Sequence, residues 1–246
     1  MRNILITGGT GTIGSHLVSE MIADEHSVYF TSRSMSSAME LIEEKKLDQE
    51  RCKPIIVDFS QKNAVDSVLD QLNSIPDMIV HNARSLDTLK LDQNGITSNE
   101  NWQAEFFNGV TFPYQLTMEL VQKKTFLKDV VFMSSMYGSV APNPSLYTNF
   151  HHQSPINYGV VKAAQLHLVK ELAVRLAPNI KVNGISYGGV EGRADDAFKE
   201  RYSKLNPLGK MLDKNDLYPP LKYILDNPSL KMTGENLKVD GGWTIW

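Results

Sequence analysis

Tyr158 and Lys162 stand four residues apart in the run Tyr158-Gly159-Val160-Val161-Lys162, downstream of Ser134-Ser135. On a helix over 155–176, which the local pattern predicts, the two share one face about one turn apart. An ammonium beside a phenol lowers the phenol's pKa from its ordinary value of about 10. A phenol tuned in this way can give or take a proton at a carbon that gains or loses hydride. The same spacing also arises by chance in helices with no catalytic use, so the pair takes its meaning from the rest of the chain.

A second chemical signal lies near the start, in Thr7-Gly8-Gly9-Thr10-Gly11-Thr12-Ile13-Gly14. It follows a predicted strand and opens a predicted helix. Gly8, Gly11 and Gly14 permit a tight turn and close backbone approach, and the helix N-terminus offers N–H donors to a pyrophosphate. With Thr10, Thr12 and Ile13 they form a candidate dinucleotide cradle; the alternative is a glycine-rich turn without a ligand. The second predicted strand ends in Phe30-Thr31-Ser32-Arg33-Ser34. No carboxylate stands there to hold a ribose 2′-hydroxyl, and an arginine suits a 2′-phosphate. Ser32 and Arg33 therefore favour NADP(H) over NAD(H), unless Arg33 is only a solvated loop residue. Asp58 can accept from an adenine amino group or cap the helix that follows.

The elements that must position these groups alternate along the chain. Short apolar runs at 3–7, 27–31, 55–57, 78–80, 130–133, 180–185 and 236–239 read as strands. Helical patterning covers 13–23, 38–46, 64–72, 102–123 (one or two helices, with Pro113 at a break or first turn) and 156–176. Strands without polar alternation are buried on both faces, as in a parallel sheet covered by helices. The prediction is a doubly wound α/β fold of the Rossmann type, one domain over 1–246 with about seven strands. A lengthened loop at 137–155 carries Pro142, Pro144 and Pro155, and long loops in compact domains are often functional.

The 246 residues suffice for one large core, and 41% hydrophobic with 22% charged residues is ordinary for a soluble globular protein. A net charge of -3 gives no support to a nucleic-acid partner. A single cysteine, Cys52, excludes an internal disulfide framework and fits a reducing compartment. Without a signal-peptide pattern or a run long enough to span a membrane, a cytoplasmic enzyme with a small-molecule substrate is expected. His151-His152 lacks an accompanying carboxylate or cysteine cluster, so no metal is expected.

Together these residues resemble the short-chain dehydrogenase/reductase family over nearly the whole length. The match runs through the glycine turn, Asp58, Asn82-Ala83, Asn108, Ser135, and Tyr158 with Lys162. It continues through Val182-Asn183, Gly188-Gly189-Val190, Thr233-Gly234 and Val239-Asp240-Gly241-Gly242. The resemblance implies that Tyr158 is the general acid/base and that Lys162 holds the nicotinamide ribose and depresses the tyrosine pKa. It implies that Ser135 hydrogen-bonds the substrate oxygen, with Ser134 structural, and that Asn108 positions a water relaying protons to Lys162. Asn82, Ala83, Gly188 and Val190 would contact the cofactor beside the cradle. A homodimer or homotetramer is the assembly the resemblance implies.

Four departures stand out. Thr12 replaces the middle glycine of the compact branch, giving the glycine spacing of the extended branch of epimerases and dehydratases. Arg84 follows Asn82-Ala83 where glycine is usual, and Tyr187 replaces the proline before Gly188. The Ser135-to-Tyr158 separation exceeds the usual one, and the extra loop holds Tyr147, Phe150, His151 and His152. Chain length, Asn108 and the Asp-Gly-Gly tail favour the compact branch. Arg84, Tyr147, His152 and Arg193 are candidate substrate contacts, and aromatic and arginine side chains among polar neighbours suit a sugar or sugar phosphate. The inserted loop and the terminal Gly-Gly-Trp-Thr-Ile-Trp are similar to reductases of bacterial surface-glycan and flagellin-sugar pathways. An alcohol/carbonyl oxidoreductase is the leading expectation. The alternatives are a nucleotide-sugar epimerase or dehydratase, a 3-oxoacyl thioester reductase, and a cofactor-binding regulator without turnover.

Overall fold

The computed structural model describes residues 1–123, 126–192 and 194–246. Seven parallel strands form one sheet in the order β3-β2-β1-β4-β5-β6-β7. They are β1 Asn3–Ile6, β2 Ser27–Ser32, β3 Cys52–Ile56, β4 Met78–His81, β5 Asp129–Ser135, β6 Lys181–Tyr187 and β7 Asn236–Val239. The order reverses direction between β1 and β4, and a crevice at the carboxyl ends of the strands is expected at such a switch point.

Alternate residues of β1 to β6 enter different cores, which explains the absence of polar alternation in those strands. Ile4 and Ile6 of β1, Val28 and Phe30 of β2, and Met78 and Val80 of β4 face one side. There they meet α1 (Thr12–Ala23), α2 (Met35–Glu44) and α9 (Tyr218–Asp226) through Leu17, Met21, Leu41, Leu221 and Ile224. Leu5, Tyr29 and Ile79 face the other side. They pack with α3 (Ala64–Asp70), α5 (Phe112–Gln122) and α7 (Ile156–Leu176) through Val68, Leu116 and Leu172.

The predicted strands and helices are all present, with shifted ends. β3 starts earlier than expected and tolerates Pro54 because it lies at the sheet edge, pairing only with β2. β5 runs on to Ser135, so the serine pair belongs to the strand end. The expected helix at 102–123 is α4 (Asn99–Phe106), capped by Ser98, then a π turn at Phe107–Thr111, then α5 with its proline in the first turn. The loop 137–155 holds a short helix, α6 (Phe150–Gln153). α8 (Asp196–Leu205) and α9 were not foreseen. Cys52 is buried, and burial pushes its thiol up to about 12, as suits an inert core residue.

Candidate active site

The glycine turn joins β1 to α1 and is bound to its neighbours from two sides, the end of β2 and the segment after β4. The N–H of Gly8 donates to Thr31 Oγ1 (2.8 Å). Thr7 Oγ1 accepts from the N–H groups of both Asn82 and Ala83 (3.0 Å each), and Asn82 Nδ2 donates to the carbonyls of Thr7 (3.0 Å) and Gly8 (3.2 Å). Gly8 has φ +70°, and a Cβ on it would lie 2.8 Å from Ala83 Cα. A Cβ on Gly14 would lie 2.1 Å from the Gly8 carbonyl oxygen, so only glycine lets α1 begin this close to the turn. Gly11 caps α1 without a side-chain hydrogen bond, and no acidic residue occupies the first turn. The backbone donors at this helix start are thus left for an anion, with Thr10, Thr12 and Ile13 around them. This cradle fits a dinucleotide.

At the end of β2, Ser32 is buried, and its hydroxyl donates to the Ser34 carbonyl (3.0 Å) while meeting Thr10 Oγ1 at 3.4 Å. Arg33 is exposed, and its charge acts on Asp58. Asp58 Oδ1 accepts from the Ser60 N–H (2.9 Å), and the Ser60 contacts hold this carboxyl below its usual range. Asp58 thus closes a turn on Ser60 and does not cap α3, whose N-cap is Asn63.

Gly188 and Val190 follow β6. A Cβ on Gly188 would lie 2.7 Å from the Tyr202 hydroxyl, so α8 and the Asp240 turn close tightly on this segment. The Val190 bridge to Leu212 uses the Glu191 N–H and the Gly189 carbonyl. In that parallel pattern the N–H and carbonyl of Val190 itself point the other way. Tyr187, standing where proline is usual, gives its hydroxyl to the Leu217 carbonyl and ties β6 to the start of α9.

Tyr158 and Lys162 lie one turn apart on α7, with Lys162 Nζ 5.9 Å from the Tyr158 ring centroid. Lys162 is buried; its ammonium donates to the Met133 carbonyl of β5 (2.9 Å) and to Gln165 Oε1 (2.9 Å). Burial lowers its pKa to about 7; Arg84 acts in the same direction and Glu105 against it. Glu105 of α4 is itself buried, bonded to the Thr88 hydroxyl. Ser134 donates to the Lys162 carbonyl (3.3 Å) and pins the strand end to α7. Ser135 Oγ instead accepts from the Tyr137 N–H (3.2 Å), which leaves its own O–H to donate elsewhere. A Cβ on Gly138 would sit 2.8 Å from the Lys162 carbonyl oxygen, so a glycine there lets the serine turn approach α7.

Tyr137 stands edge-on to Tyr158, centroids 6.3 Å apart, and its hydroxyl pairs with that of Tyr147 (2.9 Å). Burial pushes the phenols of both Tyr137 and Tyr147 up, so neither exchanges a proton near neutrality. Tyr158 lies half-buried beside the lysine on the same helix. Arg84 lies over the opposite part of this corner, its guanidinium carbon 4.6 Å from the Tyr158 centroid.

Several expected residues play other parts. His152 uses both ring nitrogens on the protein, Nδ1 with Asn149 Oδ1 (3.1 Å) and Nε2 with the Gln93 carbonyl (3.1 Å). It anchors α6 to the neighbouring loop, so its reading as a substrate contact has no free nitrogen behind it. Asn108 lies half-buried in the π turn, but the group of that turn which reaches towards Lys162 is the Gly109 carbonyl, through Gln165. Arg193 lies outside the described residues. Tyr147 lines a cavity of about 230 Å³ with Gln153 of the loop and Phe198 and Arg201 of α8. Among the described residues no His, Cys, Asp or Glu cluster could hold a metal, and no helix is long and apolar enough to cross a membrane.

A glycine cradle at the switch point of the sheet and a Tyr-Lys pair with its lysine buried, near the ends of the neighbouring strands, define a nucleotide-dependent oxidoreductase class. Residues 9–244 match the family model described as enoyl-(acyl carrier protein) reductase. The chain belongs to the short-chain dehydrogenase/reductase family of oxidoreductases. It is 28% identical over 255 residues to a sorbose reductase of Candida albicans, covering 97% of this chain and 85% of that protein. It is 36% identical over 124 residues to post-translational flagellin modification protein A of Campylobacter coli, covering 50% of this chain and 48% of that protein. A short-chain dehydrogenase from Leptospira borgpetersenii, solved with bound NAD+, superposes with a TM-score of 0.83 at 26% identity. That alignment covers 99% of this chain and 92% of that one. A gluconate 5-dehydrogenase from Burkholderia cenocepacia, solved with NADP and tartrate, shares the fold with a TM-score of 0.79 at 18% identity, covering 100% and 96% of the two chains.

Proposed function

We propose that residues 1–246 form one catalytic unit that interconverts an alcohol and a carbonyl on a sugar or sugar phosphate, with NADP(H) preferred. The observation that carries this reading is the Tyr158-Lys162 pair packed against the serine turn at the carboxyl ends of the strands. Gly8, Thr10, Gly11, Thr12, Ile13 and Gly14 would hold the pyrophosphate, Asn82 and Ala83 the adjoining ribose, and Gly188 and Val190 the nicotinamide end. When bound, the nicotinamide supplies or accepts the hydride. Tyr158 holds a proton at its hydroxyl, gives it to the carbonyl oxygen in reduction and takes it back in oxidation. Ser135, whose oxygen already accepts from Tyr137, donates its O–H to the same substrate oxygen and steadies the charge that develops there. Lys162 supplies positive charge beside the phenol and its one remaining donor for a ribose hydroxyl.

The preference for NADP(H) is supported by exposed Arg33 at the end of β2, where no carboxylate stands. A sugar substrate is supported by Arg84 over Tyr158, by the paired hydroxyls of Tyr137 and Tyr147, and by similarity to a sorbose reductase. Assembly with further copies is supported by exposed Phe106, Tyr114, Val160 and Val174 on α4, α5 and α7. The test is to measure reduction of ketoses, ketose phosphates and 3-oxoacyl thioesters with NADPH and NADH. Turnover of ketose or ketose phosphate with NADPH, weakened in Arg33→Ala, is expected. Exclusive activity on thioesters would refute the sugar assignment, and a strong preference for NADH the cofactor assignment.

A further inference from the structure

We propose that Gln165 is a positioning residue for the catalytic lysine, spanning from the Lys162 ammonium to the backbone of the π turn and fixing where that ammonium sits. The proposal rests on the reading of Tyr158 and Lys162 given above. Gln165 lies three residues beyond Lys162 on α7 and is 3% exposed. Its Oε1 accepts from Lys162 Nζ (2.9 Å), and its Nε2 donates to the Gly109 carbonyl (2.7 Å). The orientation of the amide follows from chemistry: an ammonium can only donate and a backbone carbonyl can only accept. Both ends of the carboxamide are therefore committed, and turning it over would break both bonds.

The partner segment is shaped for this contact. A π turn takes its backbone bonds one residue further along than an α-helix does, and Gly109 lies within it. A Cβ on Gly109 would lie 2.4 Å from Val161 Cγ1, so the absent side chain lets α7 come close enough for the bond to form. Of the three ammonium donors, the Met133 carbonyl and Gln165 Oε1 take two. The third is left for the side on which Tyr158 lies.

The balance of charge around Lys162 makes the contact consequential. Burial and Arg84, from the segment after β4, disfavour the ammonium, while Glu105 from α4 favours it. Tyr158 from α7 itself and Tyr137 from the turn after β5 are the phenols nearby, and β5 presents the Met133 carbonyl. An acceptor bonded to the charged form favours that form. Gln165 thus supplies one of two fixed acceptors to an ammonium whose charge burial and Arg84 disfavour.

The experiment follows the Lys162 side chain directly by carbon NMR of the full-length protein labelled with 13Cε-lysine, free and saturated with NADPH. Its resonance is assigned by its loss in Lys162→Met. Gln165→Glu keeps the shape and the acceptor for Lys162, exchanges the donor to the Gly109 carbonyl for negative charge, and its titration midpoint is expected to rise by about one pH unit or more. Gln165→Met removes the acceptor at similar volume, and its midpoint is expected to fall by about one unit. The alkaline limb of carbonyl reduction should move in the same two directions. Unmoved midpoints, or displacement of both variants in one direction, would overturn the proposal. Should Gln165→Met fail to fold, an unmoved midpoint in Gln165→Glu is enough to overturn it. Turnover abolished in Tyr158→Phe with both Gln165 variants unmoved removes only the role of Gln165. Normal turnover in Tyr158→Phe removes the catalytic reading whatever the Gln165 variants do.

Discussion

The guanidinium of Arg84 covers the ring of Tyr158, its Cζ 4.6 Å from the ring centroid. A cation over a phenol ring is attracted by the ring quadrupole and is held at the mouth of the reaction corner. Arg84 is exposed, and none of the salt bridges among the described residues includes it. It is a charge available to a ligand beside Tyr158.

Arg84→Met should therefore discriminate between substrates rather than weaken all of them. Bonds to charged groups contribute about 1.5–3 kcal/mol, so KM for a phosphorylated or carboxylated substrate should rise roughly tenfold to a hundredfold. KM for the neutral counterpart should change little. Steady-state kinetics on a matched pair, such as a ketose and its phosphate, measure this. Equal effects on both would assign Arg84 to packing on Tyr158.

Removing the phenolic hydroxyl separates proton transfer from binding. Tyr158→Phe keeps the ring that Arg84 covers and Tyr137 abuts. Positioned proton transfer contributes about 10²–10⁴ in rate, and turnover should fall by that order. Cofactor affinity, followed by quenching of nicotinamide fluorescence, should stay near the wild-type value.

What the sequence made legible was whatever depends on neighbours along the chain. The glycine turn needs Gly8, Gly11 and Gly14 within one strand-to-helix junction, and Tyr158 and Lys162 need only one helical turn. Gln165 and Gly109 meet across 56 positions, and no local pattern marks that contact. α8 escaped notice because Tyr202 is its only buried residue. In α9, Pro219-Pro220 looks like a helix breaker, yet proline is tolerated in a first turn, where the N–H would go unbonded anyway. The bond of His152 to the Gln93 carbonyl spans 59 positions and is likewise invisible in sequence.

Within the inserted loop the hydroxyls of Tyr147 and Tyr137 pair at 2.9 Å, and Tyr137 stands edge-on to Tyr158. Tyr147 also packs on Phe150 and Phe198, centroids 5.7 and 6.1 Å away. Tyr147→Phe keeps that packing and leaves the largely buried Tyr137 hydroxyl without its partner. The cost should be about 1–3 kcal/mol of stability. KM should rise for hydroxyl-rich substrates while kcat changes less, because Tyr158, the phenol proposed to exchange the proton, is untouched. Urea unfolding and kinetics on a ketose check the two halves; unchanged KM would separate the loop from substrate choice.

His81 gives the fold a defined response to acid. It ends β4 fully buried, with Nε2 against Thr117 Oγ1 (2.8 Å) and its ring 4.7 Å from that of Phe132. Among the described residues Nδ1 has no partner. Burial lowers its pKa from 6.5 to about 3, so the folded protein keeps it neutral. The unfolded chain takes up that proton near pH 6.5, well before the folded one does. Above that pH His81 adds no pH dependence. Below it the unfolded state binds more protons, and stability falls by about 1.4 kcal/mol per pH unit until the folded pKa is reached. His81→Gln retains an amide for Thr117 and does not titrate. Urea unfolding at pH 7, 6 and 5 should give the variant a shallower loss than the wild type, by about that slope. Parallel curves would mean that His81 is protonated in the folded state as readily as in the unfolded one.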